Sequence, residues 1–136
     1  MSETSSNRVP AILLVEDEVL ISDLVREALV EDGYAVHAVA DAGEALQHLC
    51  GPAQVDVLFT DINLPGTMDG VALAARAREQ NPSLAVVFAS GRWGLLEKLA
   101  AFPHAIALRK PYSLAQACAA VQALLDAAAS APATKN

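Results

Sequence analysis

The chain has 136 residues, 54% hydrophobic and 18% charged, enough to bury one domain's core, which excludes a disordered chain. A net charge of −7 with no basic run excludes a nucleic-acid binder, because such a surface repels phosphates. The polar N-terminus lacks the apolar stretch of a secretory signal, and no apolar run reaches membrane-spanning length. A cytoplasmic protein without membrane insertion is expected.

Residues 1–8 form a Ser-rich polar lead and 130–136 a small polar tail, both expected to fray around one domain over 9–129. Residues 11–15 (AILLV) are a continuous apolar run, as in a strand buried on both faces. Leu20, Ile21, Leu24, Val25, Ala28 and Leu29 recur at helical spacing, and Gly33 stops that helix. Residues 34–39 read as a second strand. Asp41 is an N-cap, with Glu44 as the reciprocal half of a capping box, for a helix running to about Cys50. Gly51-Pro52 breaks it.

Residues 55–60 (VDVLFT) predict a third strand with Asp61 at its C-terminal end. Beyond a Pro65-Gly66 loop, a helix runs from about Gly70 to Gln80, and Asn81-Pro82 ends it. Residues 84–89 (LAVVFA) are a fourth strand, followed by a Ser90-Gly91 turn and a short helix near 95–101. Residues 105–108 make a fifth, weaker strand. Ser113 caps a final helix on which Leu114, Ala117, Cys118, Val121, Leu124 and Leu125 form an apolar stripe.

Strands alternating with helices, without a hairpin signal, predict an α/β fold: a doubly wound, parallel, five-stranded sheet with helices on both faces. Cys50 and Cys118 lack metal-ligand spacing and fall in helices, so free thiols are expected. His37, His48 and His104 lie on separate elements and are expected to form no ligand set.

In such a sheet, ligands bind beyond the carboxyl ends of the strands. Those ends carry Glu16, Asp17 and Glu18 after the first strand, Asp61 after the third, Ser90 after the fourth and Lys110 after the fifth. This set suits phosphoryl transfer. Asp61 is a carboxylate nucleophile able to form an acyl phosphate. Crowded carboxylates repel, and Mg²⁺ with its octahedral oxygen shell relieves that repulsion. Lys110 supplies a positive charge, and the Ser90 hydroxyl can donate to a phosphoryl oxygen. Each piece alone has a plainer explanation: acids at a helix N-terminus, an ordinary turn, a solvated lysine. Their placement at four strand ends is what favours the chemistry.

The stretches ILLVEDE (12–18), FTDINLPGTMDG (59–70), FASG (88–91) and LRKP (108–111) resemble the receiver domain of two-component response regulators, in the family's order and over nearly the whole chain. The resemblance implies a flavodoxin-like fold with strand order 2-1-3-4-5. It also implies that Asp61 accepts a phosphoryl group from a phosphohistidine on a sensor histidine kinase or histidine phosphotransfer protein. Asp17 and Asp61 would ligate Mg²⁺ directly, Glu16 through water, and Asn63 through its backbone carbonyl. Ser90 would be the switch hydroxyl and Lys110 the phosphoryl charge partner, with a cis Lys110-Pro111 bond. The protein would catalyse only its own phosphorylation and slow dephosphorylation.

Three departures stand out. The family's switch aromatic, three residues before the lysine, is here Ala107; the loop after Asp61 carries one extra residue; and Ser90 is followed by glycine. Phe88-Ala89-Ser90-Gly91 is similar to the Phe-Ala-Thr-Gly motif of some alphaproteobacterial stand-alone regulators. Trp93 or Phe102 are candidates to replace the missing aromatic, and Arg92 reads first as a solvated surface residue. With the chain ending after the fifth helix, a stand-alone regulator is expected, signalling through protein–protein contact or phosphorelay, as a monomer or a phosphorylation-linked dimer. Two competing readings are a haloacid-dehalogenase-type phosphatase and a receiver that never accepts phosphate. The first wants an aspartate where Asn63 stands.

Overall fold

The computed structural model of the protein describes residues 8–92, 99 and 102–130. Strands β1 (Ala11–Val15), β2 (Ala35–Val39), β3 (Val57–Asp61), β4 (Ala85–Ser90) and β5 (Ala105–Arg109) pair in parallel in the order β2-β1-β3-β4-β5. Helices α1 (Val19–Glu31), α2 (Ala42–Cys50), α3 (Gly70–Gln80) and α4 (Leu114–Ser130) cover the sheet. The doubly wound fold and its strand order are as expected. The helix expected near 95–101 lies outside the described residues, save Leu99, which is buried.

Alternate strand residues face opposite layers, and both layers are apolar. Leu13, Val15, Leu58, Val86 and Phe88 pack with Ala45 of α2 and Leu73 and Ala77 of α3. Ile12, Leu14, Val57, Phe59 and Val87 pack with Val25 and Leu29 of α1 and Ala117 and Val121 of α4. Every residue of β3 and β4 is buried, the pattern of inner parallel strands covered on both sides.

Helix ends obey their local chemistry. The Gly33 N–H donates to the Val30 carbonyl and the Tyr34 N–H to that of Leu29, with Gly33 at φ 99°, which closes α1 in a Schellman motif. Tyr34 is therefore spent on this closure and stands outside β2. Asp41 caps α2 by accepting from the Glu44 N–H at 2.8 Å. The Glu44 carboxylate reaches one residue further back than expected, to the Ala40 N–H at 2.8 Å. Ser113 caps α4 in a full capping box with Gln116, at 3.0 and 2.8 Å.

Three expectations need correction. Strand β3 begins at Val57, because Asp56 instead binds the Arg8 guanidinium at 3.0 and 2.8 Å and the Ala11 N–H at 2.7 Å. The buried stripe of α1 is Ser22, Val25 and Leu29, while Leu20 and Leu24 are 77% and 51% exposed. Finally, His37 and His48 are not apart: pairing with β1 places β2 so that the two rings stack 4.1 Å apart at an interplanar angle of 9°.

Candidate functional site

The carboxyl ends of β1, β3, β4 and β5 meet on one rim. Strand β3 holds Asp61 opposite Ala89 of β4, and Ser90 is opposite Arg109, one residue before Lys110. Asp61 and Ser90 terminate their strands, as expected, which ties both to the sheet. Carboxylate oxygens of Glu16, Asp17 and Asp61 lie within 4.8 Å of one another. Glu16 and Asp61 are buried, and Asp17 is exposed at the mouth. The Lys110 ammonium lies 3.0 Å from Asp61 Oδ2 and 3.9 Å from Glu16 Oε1. The Lys110-Pro111 bond is cis.

Each group is held by its surroundings. The Glu18 N–H donates to Glu16 Oε2 at 3.0 Å and fixes that carboxylate. The Arg92 N–H donates to the Ser90 hydroxyl at 3.0 Å, leaving the hydroxyl's own proton to donate outward. The Thr60 hydroxyl donates to the Asp61 backbone carbonyl at 2.8 Å. Helix α3 starts against that same carbonyl: a Cβ on Gly70 would fall inside the oxygen's van der Waals envelope. The Gly70 N–H donates to the Ile62 carbonyl at 2.8 Å, and Asp69 caps the helix by accepting from the Ala72 N–H.

The electrostatics follow from burial and crowding. Burial raises the Glu16 carboxyl to about 7; the Glu18 N–H opposes this rise, and the Asp61 charge adds to it. Burial also raises Asp61, against the hydrogen bond and charge of Lys110. Burial alone lowers the Lys110 ammonium, but Asp61 and Glu16 outweigh it and hold it above its ordinary value. Tyr112, next after Pro111, is pushed up first by burial and then by Glu16 and Asp61. The rim therefore holds more negative charge than its one lysine offsets.

This donor set fits a hard divalent cation: clustered carboxylate oxygens, one at a solvent-open mouth, and no imidazole or thiolate among them. Asn63 is exposed two residues beyond Asp61, where the chain turns off β3. Strand-end logic reaches Glu16, Asp17, Asp61, Ser90 and Lys110, but it misses Gly70 and Asp69. Only the Asp-Gly pair closing FTDINLPGTMDG signals them in the sequence.

Beside the rim lies a hollow of about 680 Å³, lined by Glu18, Ile21, Leu24, Lys110, Tyr112 and Leu114 among others. On the first turn of α1, Val19 and Leu20 are 71% and 77% exposed. At the far side of the sheet, Phe88 of β4 is opposite Ala107 of β5 and meets Phe102 edge-on at 5.2 Å.

Known proteins share this architecture. TcrA of Mycobacterium tuberculosis strain H37Rv, a transcriptional regulatory protein, is 33% identical over 115 residues, covering 83% of this chain and 45% of TcrA. The chain thus spans less than half the length of that relative. A response regulator receiver protein from Sinorhizobium medicae WSM419 superposes with a TM-score of 0.81 at 33% identity, covering 88% of this chain and 97% of that one. The signal receiver domain of an HD domain-containing protein from Pseudomonas fluorescens Pf-5 gives 0.77 at 30% identity, with 88% and 89% covered. No helix among the described residues is long and apolar enough to cross a membrane. Residues 12–122 match the family model described as the response regulator receiver domain, and the chain belongs to that family.

Proposed function

We propose that Asp61 is the phosphoacceptor of this receiver, charged from a phosphohistidine on a sensor histidine kinase or histidine phosphotransfer protein. The observation that carries this is the Lys110 ammonium 3.0 Å from Asp61 Oδ2, inside a cluster of acids that gains by binding a cation. An Asp61 carboxylate oxygen forms the new bond to phosphorus as the phosphorus–nitrogen bond breaks. The electron pair of that bond returns to the donor's imidazole. Lys110 and the Ser90 hydroxyl would hold phosphoryl oxygens. Asp17 and Asp61 would hold Mg²⁺ directly, Glu16 through water and Asn63 through its carbonyl; the bound ion would neutralise charge on the transferring group.

The exposed Leu24 and Leu114, which line one hollow with Lys110, would offer the phosphodonor an apolar seat next to the acceptor. Output runs through protein–protein contact, driven by about −1.5 to −2 added charge if the acyl phosphate behaves like other phosphorylated side chains. Incubation with acetyl phosphate and Mg²⁺ is expected to add one phosphoryl mass to the wild type, none to Asp61→Asn and none after EDTA. An unmodified wild type would leave a receiver that only binds partners. Steady turnover of p-nitrophenyl phosphate would instead indicate a phosphatase.

A further inference from the structure

The chain leaving Asp61 is pinned by three hydrogen bonds in succession. The Thr60 hydroxyl donates to the Asp61 carbonyl at 2.8 Å. The Ile62 N–H donates to the Ala89 carbonyl of β4 at 3.0 Å, and the Gly70 N–H to the Ile62 carbonyl at 2.8 Å. The last two join main chain to main chain, so most substitutions preserve them. The first depends on one side chain.

That side chain is out of keeping with its place. Thr60 is 0% exposed and stands between Val15 of β1 and Phe88 of β4, both members of the apolar layer under α2 and α3. Valine has nearly the same shape, is equally suited to a strand and needs no polar partner. A hydroxyl where an apolar isostere would pack marks a position at which local rules give way to function.

We infer that Thr60 is a positioning residue for phosphoryl transfer, its hydroxyl holding the Asp61–Ile62 peptide so that the Asp61 carboxylate stays aimed at the incoming phosphorus. This rests on Asp61 being the phosphoacceptor. The carbonyl of that one peptide is held by Thr60 and its N–H by Ala89, so its plane cannot turn without breaking a bond. Gly70 crowds the same carbonyl oxygen and leaves it no room on the helix side. The Asp61 side chain departs from the Cα at the start of this plane and meets Lys110 at 3.0 Å. Misplacing a nucleophile by about 1 Å can cost on the order of 10²-fold in rate.

Initial rates of phosphorylation of the full chain, with saturating Mg²⁺ and varied acetyl phosphate, test the role; urea denaturation checks that each variant is folded. Thr60→Val is expected to lower the maximal rate about tenfold and to leave the half-saturating acetyl phosphate concentration within about twofold. Thr60→Ser keeps the hydroxyl and should recover most of the rate. Thr60→Ala differs from Thr60→Ser by the hydroxyl alone and should be slow, a comparison that stands even where Thr60→Val fails to fold. The Ile62 amide resonance should move in Thr60→Ala and stay near its place in Thr60→Ser. A folded Thr60→Val at the wild-type maximal rate overturns the inference. So does Thr60→Ser as slow as Thr60→Ala, which would assign the loss to packing. A wild type that takes up no phosphoryl group overturns the acceptor reading itself, and the positioning role with it.

Discussion

At the scale of single residues, Lys110 is the side chain on which the rim's balance turns. Its ammonium is the cation that meets both Asp61 and Glu16, and both carboxylates are buried. Lys110→Met is expected to slow phosphorylation from acetyl phosphate by about 10–100-fold, the worth of a hydrogen bond to a charged group. Intact-mass time courses measure this. The rim residues were legible because a parallel sheet presents each strand's last side chain on one edge, and those positions read acid, Asp61, Ser90 and Lys110. His37 and His48 were not legible as a pair. Their meeting depends on where β2 sits against β1 and on how α2 crosses back, and neither is written in their spacing.

At the scale of elements, the start of α3 and the end of β3 form one unit. The Asp61 carbonyl lies under Gly70 and accepts from Thr60, so the Asp61 backbone is fixed by a helix as well as by its strand. Gly70→Ala forces backbone against backbone and is expected to cost about 1–3 kcal/mol, as overpacking does. It should also slow phosphorylation by displacing Asp61. Gly43→Ala is the control: in the first turn of α2 its Cβ would meet only Asp41 Oδ1, at 3.4 Å. It should change stability by less than about 0.5 kcal/mol. Urea denaturation of both variants separates the two cases. The helix caps at Asp41 and Ser113 could be read from sequence because capping is local. The inward face of α1 could not, since Leu20 and Leu24 fit a stripe as well as Ser22 does until the neighbouring layer is placed.

At the scale of the whole molecule, the rim is expected to make stability depend on pH and, with the Mg²⁺ binding proposed above, on metal. Glu16 has a folded-state value of about 7, above its unfolded value, and Asp61 is shifted in the same direction. Below an unfolded value of about 4.3, both states hold the Glu16 proton and the shift has no effect. As pH rises from there to about 7, the unfolded chain ionises first and the folded state loses ground. The metal-free protein is therefore expected to lose about 1–2 kcal/mol across that window, after allowing for solvent screening at the open mouth. Millimolar Mg²⁺ should restore it, and Asp61→Asn should flatten the profile. Thermal melts at several pH values, with and without Mg²⁺, measure all three.

Bulk is divided unequally between the paired positions of β4 and β5. Phe88 is fully buried and fills the layer directly opposite Ala107, with Phe102 closing over it. An aromatic at position 107 would have to share that volume. Ala107→Tyr alone is expected to destabilise by about 1–3 kcal/mol in urea, and Phe88→Ala in the same chain to recover part of the loss. The small residue on β5 and the large one on β4 are thus a linked choice. Changing either alone is expected to leave a clash at 107 or a void at 88.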